Sequence, residues 1–218
     1  MPFIRLKIAA SLDGITALPN GASQWITSDE ARLDGHSWRA QADAVLTGIG
    51  TVLADNPRLD VRTSPAPANQ PVVVVVDSQL RTPPDASLFI ATRRRIICSN
   101  GLKHTSKSAL EAAGASVLHL PGIDGKVDLV ALMAALDAQG IGTVHVEAGA
   151  VLNGALAQAG LVDEWLIYLA PVLLGNGRGM VCTAPLKALV DAQALDIIST
   201  AMVGPDLRLL ARTRSKKR

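Results

Sequence analysis

Pro71-Val-Val-Val-Val-Val-Asp77 is the stretch that decides the fold. Five successive valines leave no polar face, so the segment suits a strand covered on both sides, closed by Pro71 at one end and Asp77-Ser78 at the other. Such a strand belongs inside a sheet with helices above and below it. Outward from it, strand patterns recur at residues 4–10, 44–47, 95–98, 116–120, 143–146 and 165–171. A last pair at 196–202 and 207–213 reads as a hairpin turning at Gly204-Pro205-Asp206. Helical spacing lies between them, from Ser28 past Trp38 and over residues 107–113, 128–139 and 151–159. The alternation predicts an α/β fold, with a mainly parallel central sheet flanked by helices and antiparallel strands at the C-terminal end.

The 218 residues suffice for one sizeable domain, which we expect over residues 1–211. Residues 212–218 read as a basic tail. Arg212, Arg214, Lys216, Lys217 and Arg218 supply five of the 21 basic residues, and without them the 19 acidic residues are in the majority. Aromatic residues make up only 3% of the chain, too few for base stacking, so nucleic acid is not an expected partner. No apolar run approaches the roughly 18 residues of a membrane span, and charges interrupt the first seven residues, so neither a membrane nor a secretory leader is expected. Cytoplasmic residence follows as the expectation. Cys98 and Cys182 stand far apart, the four histidines are scattered, and no metal site is suggested.

Chemistry concentrates where strands run into glycine turns. After the strand ending at Leu46-Thr47, Gly48 and Gly50 let the backbone approach a ligand, and a helical turn over residues 51–55 offers N–H groups to an anion such as phosphate. Arg58 and Arg62 add forked cationic donors and Asp55 an acceptor. The alternative is an ordinary strand-turn-helix with surface charges. A second turn, Glu147-Ala-Gly-Ala-Val-Leu-Asn-Gly-Ala155, repeats the form, with Glu147 at a strand's carboxyl end and Gly149 opening a helix. Neither turn carries Gly-x-Gly-x-x-Gly, so a Rossmann fingerprint is absent. Arg93-Arg94-Arg95 reads as a solvated edge, or else as a partner for a nucleotide 2′-phosphate, and residues 176–179 as a flexible loop, a dimer or lid element.

Five phrases occur in order: Lys7-Ile-Ala-Ala-Ser-Leu-Asp-Gly14, Ser23-Gln-Trp-Ile-Thr-Ser28, Gly48-Ile-Gly-Thr-Val-Leu-Ala-Asp-Asn-Pro-Arg-Leu59, Val146-Glu-Ala-Gly149 and Ala170-Pro-Val-Leu-Leu-Gly175. Together they resemble the reductase domain of the bacterial riboflavin-biosynthesis deaminase/reductase, over essentially the whole chain. The resemblance implies a dihydrofolate-reductase-like fold. It also implies NADPH-dependent reduction of 5-amino-6-(5-phosphoribosylamino)uracil to 5-amino-6-(5-phosphoribitylamino)uracil, with hydride reaching C1 of the ring-opened ribose imine. By position it puts the substrate on Ser23, Arg39, Leu59, Arg62 and Glu147. It puts the cofactor on Ala9, Trp25, Thr51, Asp55, Ser78, Gly149, Ala150, Val151, Leu152, Asn153, Gly154 and Ala155. Trp25 would lie against the nicotinamide ribose or plug the core, and the Ser78 hydroxyl would meet the adenosine end or satisfy a turn. Asp55 and Glu147 are the expected proton-handling groups, with Lys7 as a cationic neighbour unless it is an exposed strand residue. A homodimer is implied as well. The His-x-Glu and Pro-Cys-x-x-Cys pattern of the zinc deaminase does not occur, so the chain reads as a reductase alone, working beside a separate deaminase. The competing expectations are a same-fold reductase for another substrate, such as a pteridine, and a module that binds NADPH or a flavin precursor without turnover.

Overall fold

Val73, Val74 and Val75 have no exposed surface at all, as a run with two apolar faces demands. The computed structural model describes residues 1–65, 67–90, 92–101 and 103–214. In chain order the strands are β1 (Phe3–Ser11), β2 (Ile15–Ala17), β3 (Ala44–Gly48), β4 (Val72–Val76), β5 (Arg95–Ser99), β6 (Ser116–His119), β7 (Thr143–Val146), β8 (Glu164–Ala170), β9 (Arg178–Gly179), β10 (Leu195–Val203) and β11 (Asp206–Thr213). The helices are α1 (Asp29–Ala40), α2 (Ile49–Asp55), α3 (His104–Ala112), α4 (Leu129–Asp137) and α5 (Ala150–Gln158). No helix among the described residues is long and apolar enough to cross a membrane.

The chain forms two compact units, one of Met1–Phe3 with His36–Gly149 and one of Ile4–Gly35 with Ala150–Arg218. Each is assembled from separated stretches, which is why no linker in the sequence announces them. In the first unit the strand order is β7-β3-β4-β5-β6, and every pairing is parallel. Val73 and Val75 join Val45 and Ile97 in a cluster closed by Ile49 and Val52 of α2 and Leu110 of α3. Val74 points to the opposite face by the two-residue period of a strand.

In the second unit the order is β10-β11-β8-β1. Here β1 and β8 are parallel, β8 and β11 antiparallel, and β10 and β11 form the expected hairpin. Residues 178–179 are not a free loop. They pair as β9 with β2, an element too short for the sequence pattern to show. Nor does the tail begin at Arg212. Arg212 and Thr213 are the last residues of β11, and Arg214 pairs with Asp196. Lys216, Lys217 and Arg218, the rest of the expected basic tail, lie outside the described residues.

Met180–Cys182 passes over the first turns of α5. The Asn153 amide donates to the Met180 carbonyl at 3.0 Å, and the Cys182 N–H donates to the Ala150 carbonyl at 2.9 Å. Any Cβ on Gly154 would collide with the Cys182 carbonyl. Gly154→Ala should therefore lower the unfolding free energy by about 1–3 kcal/mol, the usual cost of overpacking, measured by urea denaturation.

Candidate active site

The end of β7 is held where Glu147 emerges. Its N–H donates to the Leu46 carbonyl at 2.9 Å, and the Thr47 hydroxyl donates to its own carbonyl at 2.7 Å. Arg39 in the last turn of α1 then grips the carboxylate with both arms of its fork, Nε to Oε1 at 2.6 Å and Nη2 to Oε2 at 2.9 Å. The two side chains are 11% and 19% exposed, so solvent screens the pair little. Burial alone would raise the Glu147 pKa. The Arg39 charge, with His145 Nε2 at 3.5 Å from Oε1, overrides it and holds the carboxyl well below the usual range. Burial likewise opposes the charge on Arg39, and Glu147 outweighs it, leaving the guanidinium pKa raised.

His36 lies one turn before Arg39 on the same helix face. Its Nδ1 accepts the Arg62 N–H at 3.3 Å and stands 3.3 Å from Arg39 Nη1. Burial, then the charges of Arg39 and Arg62, push its pKa down to about 4, so the ring is neutral at pH 7 with Nδ1 as its acceptor.

The segment after α2 carries the other arginines. Asn56 ends the helix in a left-handed conformation, and Leu59 also has a positive φ, of 55°. Asp60 is 5% exposed and draws two cations to its carboxylate, Arg58 at 2.8 Å and Arg62 at 3.7 Å. Arg39 Nη1 donates to the Asp60 carbonyl, while Arg93 donates to the carbonyls of Leu59, at 2.8 Å, and Arg58. The arginine run is thus a solvated edge only at Arg94, which is exposed. Arg93 is turned onto this loop, and Arg95 is buried, donating to the carbonyls of Leu88 and Phe89 at 3.0 and 2.8 Å.

Arg39, Leu59, Arg62 and Glu147 therefore meet in one bonded cluster of the first unit. Thr51, Asp55, Ser78 and Gly149 belong to that unit too, Thr51 and Asp55 within α2, Ser78 after β4 and Gly149 after β7. Asp55 closes α2 as an exposed residue, yet partial burial of its carboxyl raises the pKa. Asp77 satisfies the turn after β4, its Oδ2 accepting the Thr82 N–H at 2.7 Å and hydroxyl at 2.8 Å, so that turn has no need of the Ser78 hydroxyl. At Gly149 a Cβ position meets nothing within 4 Å, and Gly48 enters α2 without a side-chain cap.

The second unit holds Lys7, Ala9, Ser23, Trp25 and residues 150–155. Lys7 is not an exposed strand residue. It is partly buried, with Nζ 5.7 Å from the centre of the Tyr168 ring. Trp25 does not plug the core: it is 75% exposed, and the Arg32 guanidinium lies 4.4 Å from its ring centre. The Asn153 amide nitrogen and the bare face of Gly154 are occupied by Met180–Cys182, so neither presents that group to a ligand.

Sequence reasoning missed His36, Asp60, Arg93, Thr47 and His145 in the cluster. Three of them left a signal. His36 precedes Arg39 by three helical positions, His145 precedes Glu147 by two strand positions, and Asp60 sits between Leu59 and Arg62. Arg93 lies 34 residues from the carbonyl it binds, and nothing local points to that contact.

Architecture and strand order are those of a dihydrofolate-reductase-like α/β protein. Residues 2–209 match the family described as the RibD C-terminal domain, and the chain belongs to that family. It is 42% identical to the riboflavin biosynthesis protein RibD of Escherichia coli strain K12, over 95% of this chain and 59% of that protein. The chain thus spans little more than half the length of that relative. It is 34% identical to the 2,5-diamino-6-ribosylamino-4(3H)-pyrimidinone 5′-phosphate reductase of Methanothermobacter thermautotrophicus, over 94% of this chain and 95% of that one. Among solved structures, RibD of Acinetobacter baumannii aligns with a TM-score of 0.83 at 32% identity, over 98% of this chain and 58% of that one.

The His36 ring gives a pH signature. Its folded pKa of about 4 lies below the ordinary 6.5, so the stability linked to it is complete above pH 6.5 and is lost as pH falls toward 4. Nitrogen-15 NMR titration should find His36 neutral down to about pH 4. A midpoint near 6.5 would contradict the burial and the two facing arginines.

Proposed function

We propose that this chain is an NADPH-dependent reductase acting on 5-amino-6-(5-phosphoribosylamino)uracil and delivering hydride to C1 of the ring-opened ribose imine. The observation that carries this is the Arg39–Glu147 fork joined to a loop bearing Arg58 and Arg62, in a chain related to a reductase named for a ribosylamino-pyrimidine phosphate. Arg62, whose side chain is 66% exposed, is the group we assign to the substrate phosphate. Glu147, an anion with both oxygens engaged by Arg39, serves as a fixed acceptor for substrate hydroxyls or the pyrimidine edge. Its lowered pKa suits proton donation poorly, whereas the raised pKa of Asp55 suits it better. Gly149 and the opening of α2 fit the cofactor's phosphates, and NADPH when bound supplies the hydride. Ser23 for the substrate, and Lys7, Ala9, Trp25, Thr51, Ser78 and residues 150–155 for the reaction and cofactor, are carried over from the family resemblance. Two free cysteines agree with work in the cytoplasm, and a place beside a separate deaminase is carried over from the family resemblance.

One observation favours a second reading. The archaeal relative's name places an amino group at pyrimidine position 2, so this chain's substrate could carry that group in place of the uracil carbonyl. A pteridine reductase is less well supported, since it has no use for exposed phosphate-seeking arginines.

We further propose a homodimer through β10, the end strand in its unit. Ile197, Ile198 and Met202 on it are 64%, 50% and 65% exposed. Light scattering should give twice the chain mass, and Ile197→Lys with Met202→Lys should halve it.

Mixing the protein with NADPH and each pyrimidine phosphate, then following cofactor absorbance, tests the activity. Oxidation with the uracil form is expected. Oxidation with the diamino form alone would install the second reading, and none with either, in protein shown to bind NADPH, would end both. Arg62→Ala should raise KM for the phosphorylated substrate roughly tenfold or more while shifting KM for NADPH less than about twofold.

A further inference from the structure

The segment from Asn56 to Arg62 belongs to no helix or strand, yet remote side chains pin it along its length. Ser87 N–H donates to Asn56 Oδ1 at 2.7 Å. Gln70 accepts the Val61 N–H at 2.7 Å and donates to the Val61 carbonyl at 3.2 Å, and His36 accepts the Arg62 N–H. Between these ties, three consecutive carbonyls point at guanidinium groups: Arg93 takes those of Arg58 and Leu59, and Arg39 takes that of Asp60. Leu59, at the middle of the three, is held in a left-handed conformation that a leucine does not adopt by preference.

Arg93 does this at a cost to its own charge. Desolvation outweighs the nearby Asp60 and pushes its pKa down to about 10, and its Nε is buried without a hydrogen bond. A lysine has one ammonium on a flexible stem and cannot reproduce the fixed fork that meets two adjacent carbonyls. Surface packing would not require such an arrangement.

We propose that Arg93 is a positioning residue for the substrate loop, holding the backbone at Arg58 and Leu59 so that Arg62 faces the substrate's phosphate. It touches neither substrate nor cofactor in this role. The proposal rests on Arg62 being the phosphate ligand. Its effect is therefore specific. Losing Arg93 loosens the phosphate end of the site and leaves the cofactor turns at Gly48 and Gly149, which it does not bond, as they were.

The test uses Arg93→Gln, Arg93→Lys, Arg62→Ala and the Arg93→Gln/Arg62→Ala double variant, with steady-state kinetics and backbone hydrogen exchange on each. Arg93→Gln should raise KM for the phosphorylated pyrimidine roughly tenfold, with KM for NADPH within about twofold. Arg93→Lys should fall between it and the parent. The double variant should bind substrate no worse than Arg62→Ala, because both changes act through one contact. Exchange at residues 58–62 should quicken in Arg93→Gln and stay unchanged elsewhere. Additive KM effects, or equal losses for NADPH and substrate, would assign Arg93 to general stability and overturn the proposal. If Arg93→Gln does not fold, Arg93→Lys carries the same comparisons. Unchanged exchange at 58–62 overturns it whatever the activity, whereas absence of turnover in the parent protein counts against the assigned reaction and leaves the exchange result to decide on Arg93.

Discussion

A guanidinium and a carboxylate taken out of water together lose more hydration than their attraction returns unless the rest of each group is also satisfied. Arg39 and Glu147 meet that condition, and the site in the first unit is organised around it. Two nitrogens of Arg39 hold the carboxylate, and the third reaches the Asp60 carbonyl and His36. One side chain thereby joins the end of α1, the end of β7 and the arginine loop. His36 has to stay neutral for this to work, because a cationic ring there would repel Arg39 and withdraw the lone pair that accepts the Arg62 amide. The same fork fixes the charge on Glu147 and keeps that carboxyl an anion.

The polar groups of the first unit collect at one place in its topology. Gly48 ends β3, Asp77 and Ser78 follow β4, and Glu147 follows β7, all at the carboxyl ends of parallel strands. A parallel sheet presents those ends side by side, and α2 begins directly at the first of them. Burial of the valine strand thus does more than stabilise a core. It lines up the turns from which the chemistry is drawn.

Much of this architecture was legible because it rests on short-range signals. The five valines predicted a doubly covered strand, and residues 72–76 form one with Val73 to Val75 fully buried. The β10–β11 hairpin followed from apolar runs around Gly204, which takes the positive φ the turn requires. What escaped was long-range. The pairing of β2 with β9 depends on residues more than 160 positions apart, and the division into two units on chain that leaves one and returns. In the site, Arg39 and Glu147 were each visible singly, but their fork spans 108 positions. The arginine run looked like surface because a cation facing main-chain carbonyls leaves no partner in the local sequence. Asn153 and Gly154 looked like ligand-facing residues because a glycine that admits a neighbouring backbone and one that admits a phosphate are identical on paper.

The loop from Asn56 to Arg62 takes its shape from Ser87, Gln70, Arg93, Arg39 and His36, residues that a library built around the loop would leave out. Of its own side chains, Pro57 makes none of these ties and Arg58 pairs with Asp60 inside the loop, because the ties to the rest of the chain run mainly to main-chain atoms. The exposed side chains of this loop can therefore be varied while its course is preserved, and the placement of their charges shifted by altering the distant anchors instead. Chemical identity and spatial placement are separately addressable in this part of the chain.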